Sequence, residues 1–64
     1  MERIYTVRRI IDTGRYMPVL LDEDYITGEQ LTDFKKFLLG EGFVEKCGRF
    51  ELNTDDGLLK IVIE

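Results

Sequence analysis

The stretch that decides the fold is residues 26–43, ITGEQLTDFKKFLLGEGF. Its first letters carry the capping box of a helix N-terminus, with Thr27 as the N-cap and Gln30 three residues later. Ile26 before the cap and Leu31 after the first turn have the spacing of a hydrophobic staple, in which two apolar side chains pack across the helix start. The sequence therefore predicts a helix that begins directly after Thr27.

The body of this helix has one apolar stripe and a defined end. Apolar residues recur at the i, i+3, i+7 spacing that places side chains on one face. They are Leu31, Phe34, Phe37 and Leu38. Gly42 in the left-handed conformation would end the helix and let Phe43 contact Leu38, as in a Schellman motif. Gly40 is a competing end, but it would place Glu41 where that apolar contact belongs.

Two strands are predicted before the helix, at residues 4–11 and 16–21, joined by a turn that contains glycine. The first is rich in β-branched residues, but Arg8-Arg9 interrupts its alternation. Either both faces of this strand are partly covered, or a bulge near Arg8-Arg9 shifts the register. The second strand contains Pro18, which cannot donate to a sheet ladder. We expect that strand at an edge of the sheet, or with its N-terminal half outside the ladder.

Three more strands are predicted after the helix, at residues 43–46, 49–53 and 58–64. A two-residue hairpin turn at Cys47-Gly48 separates an apolar face from a charged one. The apolar face carries Phe43, Phe50, Leu52, Leu59, Ile61 and Ile63. This pattern is typical of an antiparallel sheet that packs one face on a single helix, a two-layer α+β domain of order ββαβββ. A bulge at Gly48 within one longer strand gives the alternative order ββαββ.

The composition indicates one small domain over residues 1–64. The single cysteine, Cys47, excludes an internal disulfide, and a chain without histidine lacks the usual ligand of zinc, haem and copper sites. The N-terminus lacks the uninterrupted apolar segment of a signal peptide. The longest apolar runs, such as 17–21, are far shorter than the roughly 20 residues of a membrane span. We therefore expect a cytoplasmic protein without a cofactor.

The sequence contains no metal-binding template and no catalytic set. The acidic run at residues 21–30, LDEDYITGEQ, invites comparison with a calcium-binding EF-hand loop. Counting from Asp22 puts Ile26 at the fifth position and Thr27 at the sixth, where a ligand and a glycine are required. Nucleophilic catalysis through Cys47 would require activation by a basic partner, and a small residue tolerated in a turn is the simpler interpretation. We expect no metal site and no enzymatic activity.

Charge is distributed unevenly along the chain. Residues 1–20 hold four arginines against two acidic residues, which gives +2, and residues 21–64 hold five basic against eleven acidic residues, which gives −6. The basic part favours one interpretation as a nucleic-acid-binding hairpin, with phosphate contacts and a stacking surface. Its contacts would be Arg8, Arg9, Arg15 and Tyr16. In the competing interpretation these arginines pair with the acidic half of the same domain, which the net charge of −4 favours.

The acidic part supports the leading hypothesis, a non-enzymatic protein-binding module. Small acidic α+β domains without catalytic residues are common among phage and mobile-element products that bind host proteins. Charge complementarity also suits a protein too small to build a pocket. We therefore predict an inhibitor or modulator that docks on the basic groove of a host nucleic-acid-handling protein. The predicted contacts are Asp22, Glu23, Asp24 and Glu29, with Tyr25 as the aromatic anchor.

A third hypothesis is a self-associating domain. The predicted edge strand around Val19 and the apolar last strand both offer backbone groups to a second copy of the chain, which would give a homodimer. Steep salt dependence of binding to plain DNA or RNA would instead identify the nucleic-acid interpretation.

Overall fold

The computed structural model describes residues 3–64, which form five strands and one helix. In chain order the elements are β1 (Ile4–Asp12), β2 (Val19–Thr27), α1 (Gly28–Gly40), β3 (Val44–Lys46), β4 (Arg49–Thr54) and β5 (Gly57–Ile63). The strands make one antiparallel sheet in the order β2-β1-β5-β4-β3. The predicted α+β class and the order ββαβββ are confirmed, and the alternative ββαββ is wrong.

The helix has the termini that its sequence predicts. The Thr27 side chain accepts the N–H of Gln30, and the Gln30 side chain accepts the N–H of Thr27 in return. At the other end, Phe43 donates its N–H to the Leu38 carbonyl at 3.1 Å, and Gly42 adopts φ +101°. These are the bonds of a Schellman motif, in which a left-handed residue satisfies the last carbonyls of the helix. Gly40 is the last residue of α1 and lacks a positive φ, so the competing prediction, in which Gly40 takes the role of Gly42, is wrong.

The predicted hairpin after the helix is confirmed. Lys46 and Arg49 lie opposite each other, so Cys47 and Gly48 alone connect β3 to β4. Their φ values of 51° and 79° are both positive, as in a type I′ turn. This turn matches the right-handed twist of the flanking strands, which is why it is favoured over a bulge in one long strand.

The predicted range of the second strand, 16–21, is wrong, since β2 spans Val19–Thr27. The acidic residues extend the strand because their partners on β1 are basic: Glu23 lies opposite Arg8, and Asp22 lies opposite Arg9. Opposite charges directly across an antiparallel pair stabilise the ladder. Pro18 falls just outside the strand, and β2 is an edge of the sheet, as its proline predicts.

A bulge lies opposite Arg9-Ile10, but on β2, so it does not alter the alternation of β1. Arg9 pairs with Asp22 and Ile10 pairs with Leu20, so Leu21 is an extra residue on β2. The pairing of β1 with β5 continues without a shift through the same region. The bulge therefore changes the register of the edge strand alone, where extra residues are common. Ile10 and Ile11 point to opposite faces and are both half-buried, which fits the first of the two predicted explanations, two partly covered faces.

The core lies between α1 and one face of the sheet, here called the helix face. Among the described residues, the buried apolar side chains are Val7, Leu38, Phe50 and Ile61. Phe37, predicted to lie in the apolar stripe, is 59% exposed. Adjacent helical residues are about 100° apart around the axis, so Phe37 and Leu38 do not both face the sheet. The face of the sheet opposite α1 carries no helix within residues 3–64 and is called the open face.

The helix is short relative to the sheet that it covers. Thirteen residues give α1 a length of about 20 Å, whereas the nine residues of β1 span about 30 Å. The helix starts where β2 ends, and Gly28 donates its N–H to the carbonyl of Arg3 beside the start of β1. It therefore covers the half of the sheet near the start of β1. The loop from β1 to β2 lies at the uncovered end.

Candidate functional site

The predicted acidic contacts do not share one surface. Asp22 and Asp24 line the helix face together with Val7 and Phe34. Side chains alternate along a strand, so Glu23 and Tyr25 point to the open face. Glu29 lies in the first turn of α1, where the helix dipole favours a carboxylate. The Tyr25 hydroxyl donates to the Glu23 carboxylate at 3.3 Å. The structure thus brings the predicted contacts together only in two pairs, Asp22 with Asp24 and Glu23 with Tyr25.

Asp22 is paired with an arginine of the same chain. Arg9 donates its Nε–H to Asp22 Oδ1 at 2.8 Å, and a second guanidinium N–H bonds to Oδ2. This two-pronged geometry is the strong form of an arginine–carboxylate pair. The hydrogen bonds from Arg9 lower the pKa of Asp22 from its ordinary value of 3.8 and raise the pKa of Arg9.

Glu23 is paired on the open face. Arg8 donates to Glu23 Oε2 and to Glu64 Oε2, both at 2.8 Å, so that one guanidinium joins β2 to the end of β5. The hydrogen bonds that Arg8 donates to Glu23 and Glu64 raise the pKa of Arg8. Arg8 and Arg9 therefore pair with the acidic half of the same domain, as the alternative to nucleic-acid binding predicts.

The Asp22–Arg9 pair makes stability depend on pH in a defined direction. A carboxylate whose pKa is lower in the folded state stabilises the fold above its unfolded pKa, and this stability is lost as the pH falls through the folded pKa. We expect Asp22→Asn to be less stable than wild type at neutral pH, and the two to converge in acid. Urea unfolding from about pH 6 to about pH 2 measures the difference. A gap between the variants that widens in acid would contradict the expectation.

The predicted nucleic-acid contacts are also dispersed. Arg8 and Arg9 are consecutive on β1 and point to opposite faces of the sheet. Both are engaged by carboxylates. Arg15 and Tyr16 lie beyond the strands, in the loop from β1 to β2. The four side chains do not form a continuous basic surface.

A group of exposed apolar side chains lies around the loop from β1 to β2, and none of them except Tyr16 was predicted as a contact. Five large apolar side chains in and after the loop from β1 to β2 are more than half exposed. These side chains, here called the apolar tip, are Tyr16, Met17, Val19, Leu20 and Leu21, of which Val19 and Leu20 point to opposite faces of the sheet. Tyr16 is 80% exposed and Met17 is 85% exposed. The signal in the sequence is the uncharged run 16–21, which was predicted as an edge strand and not as a binding surface.

A groove of about 460 Å³ lies beside the apolar tip. Arg15 and Tyr16 form one wall, and Asp55 and Asp56 of the turn between β4 and β5 form the other. No ion pair involves these carboxylates within residues 3–64. The groove therefore adds two unengaged acidic groups to the border of an apolar surface.

A second groove, of about 400 Å³, runs along the helix face. Its walls are mostly apolar and include Phe37 and Phe43 on the helix side and Leu52 and Leu59 on the sheet. It marks the part of the helix face that α1 leaves uncovered.

The chemistry of the described side chains is limited. Within residues 3–64, no group of three potential metal ligands converges and no polar side chain is buried. Cys47 is exposed at its turn. The thirteen-residue α1, the sole helix in this part of the chain, lacks the length and hydrophobicity needed to cross a bilayer.

Comparison with known proteins found no matching family model and no significantly similar curated protein or solved structure.

Proposed function

We propose that this chain is a non-enzymatic protein-binding module that contacts its partner through the apolar tip. The observation that carries the proposal is the exposure of Tyr16 and Met17 together with three neighbouring aliphatic side chains. Exposed apolar side chains concentrated at one end of a small domain mark interaction sites. Tyrosine is also enriched among the residues that dominate binding energy, and methionine adapts its shape to a partner.

The size of the apolar tip limits the strength of such a contact. Burying one large apolar side chain completely contributes about 1.5–3 kcal/mol, and these are already partly buried. Five of them contribute on the order of 5 kcal/mol, which is near the lower end of the roughly 4–15 kcal/mol cost of association. The apolar tip therefore requires additional contacts at its border. Asp55 and Asp56 can supply charged ones.

This proposal moves the contact away from the acidic residues predicted from the sequence. Asp22 and Glu23 already have arginine partners, so docking through them would break intramolecular ion pairs. A basic, nucleic-acid-handling partner stays a prediction, and Asp55 and Asp56 are the carboxylates that would meet it. The inhibitory role, the phage or mobile-element origin and the cytoplasmic location likewise stay predictions.

The test compares two variants that each place one charge on an exposed apolar position. Met17→Asp alters the apolar tip, and Leu39→Asp alters the helix, where Leu39 is 51% exposed. We expect proteins cross-linked to the wild-type chain in its native cell to be lost with Met17→Asp and retained with Leu39→Asp. Far-UV circular dichroism checks that both variants fold. Identical cross-linked proteins for wild type and Met17→Asp would refute binding through the apolar tip.

A further inference from the structure

The outer edge of β2 has a backbone pattern that follows from the pairing of β1 with β5. Thr6 donates its N–H to the Glu64 carbonyl and accepts the Glu64 N–H, both at 2.9 Å. Thr6 therefore directs both backbone groups toward β5. Tyr25 lies opposite Thr6 on the other side, so it forms a non-hydrogen-bonded pair with β1. The N–H and C=O of Tyr25 consequently point outward, where an added strand would bind.

The same alternation identifies the other outward positions of β2. Thr27 and Glu23 lie two residues either side of Tyr25 and share its orientation. Beyond the bulge, Leu20 lies opposite Ile10, which like Thr6 directs its backbone toward β5. The outward N–H groups of the edge are therefore those of Leu20, Glu23, Tyr25 and Thr27.

Side chains of the chain itself occupy two of these four donors. The Asp24 carboxylate accepts the Tyr25 N–H at 2.8 Å, and the Gln30 side chain accepts the Thr27 N–H at 2.9 Å. Pro18, which precedes the strand, has no N–H to offer. Leu20 and Glu23 remain, but the bulge separates them by three residues, whereas a regular incoming strand requires every second residue.

Helix capping explains the role of Gln30 but leaves that of Asp24 open. Asp24 lies inside a strand, three residues before the N-cap Thr27, and has no ion pair among residues 3–64. We propose that Asp24 keeps β2 from pairing with β2 of a second copy of this chain by occupying the outward N–H of Tyr25. The contact is an autoinhibitory one, built into the edge strand.

The strand that would otherwise bind this edge is β2 of a second copy, because residues 23–25 can pair with the same residues of that copy. In an antiparallel pair of two β2 strands, Tyr25 of each copy lies opposite Glu23 of the other, and all four residues direct their backbone groups into the new ladder. Asp24 of the two copies would then face each other at the centre. Pairing therefore requires Asp24 to release its hydrogen bond and to bring two carboxylates together, both of which oppose it.

Three variants separate the hydrogen bond from the charge. Asp24→Ala removes both, Asp24→Asn keeps a carbonyl acceptor without the charge, and Glu29→Ala removes a charge elsewhere. We expect light scattering with size-exclusion chromatography to show Asp24→Ala moving with concentration toward twice the monomer mass of 7.5 kDa. Asp24→Asn, which keeps the acceptor, should associate less than Asp24→Ala, and Glu29→Ala should behave as wild type. Equal association of Asp24→Ala and Asp24→Asn, or no association of Asp24→Ala, overturns the proposal.

Amide exchange tests the same contact in the dilute wild-type chain, independently of the apolar tip. We expect the Tyr25 amide to exchange at least about tenfold more slowly than in Asp24→Ala, because a hydrogen bond to a charged acceptor restrains it. The Glu23 amide, which has no side-chain acceptor within residues 3–64, serves as the internal reference for an open edge position. A wild-type Tyr25 amide that exchanges as fast as in Asp24→Ala overturns the proposal.

Discussion

Phe50→Ala is expected to lower the free energy of unfolding by about 3–5 kcal/mol, a third or more of the total. Phe50 is 1% exposed and is the largest fully buried side chain among the described residues. It lies on β4 opposite Ile61, in the cluster that packs against Leu38 of the helix. Truncating a buried phenylalanine costs about 3–5 kcal/mol, since it loses apolar burial and leaves a cavity. A domain of this length has a total free energy of unfolding of roughly 3–10 kcal/mol.

The matched control is Phe37→Ala, which removes the same atoms from a side chain that is 59% exposed. We expect the free energy of unfolding of this variant to fall by less than about 1 kcal/mol. Urea unfolding monitored by circular dichroism measures both variants. A similar loss for the two would mean that the core does not centre on Phe50.

Gly57→Ala is expected to have the second-largest effect. Gly57 begins β5 with φ +135°, a conformation that side chains other than glycine rarely adopt. An added Cβ would lie 2.5 Å from the Asp12 carbonyl oxygen and 2.9 Å from Thr13 Cα. Both are backbone atoms, so relief requires the end of β1 to move away from β5. We expect a loss of about 3 kcal/mol or more, from conformational strain and the clash together.

Gly14→Ala separates these two causes. Gly14 also has a positive φ, of 78°, but nothing lies within 4 Å of the position of an added Cβ. We expect Gly14→Ala to lower the free energy of unfolding by only about 1–2 kcal/mol, the cost of the left-handed conformation for alanine. Thermal unfolding of both variants gives the comparison. If Gly57→Ala lowered the stability no more than Gly14→Ala, the requirement for glycine at position 57 would not come from close packing between β5 and the end of β1.

Little of the candidate site was predictable from the sequence. Charge patterning favoured the pairing of Arg8 and Arg9 with the acidic half of the domain, but it did not identify Glu23 and Asp22 as their partners. That depends on the register of β1 against β2, including the extra residue Leu21. The apolar tip was hidden for a related reason. An uncharged run predicts burial only if another element covers it, and the coverage depends on where the single helix lies.

What the sequence by itself determined is the set of features built from neighbouring residues. The capping box at Thr27, the helix end at Gly42 and the turn at Cys47-Gly48 each follow from the conformational preferences and hydrogen bonds of a few adjacent residues. The tertiary structure alone decided the strand order, the inclusion of the acidic run in β2 and the exposure of the apolar tip. These depend on contacts between residues far apart in the chain, whose energies outweigh local preference and leave no fixed spacing in the sequence.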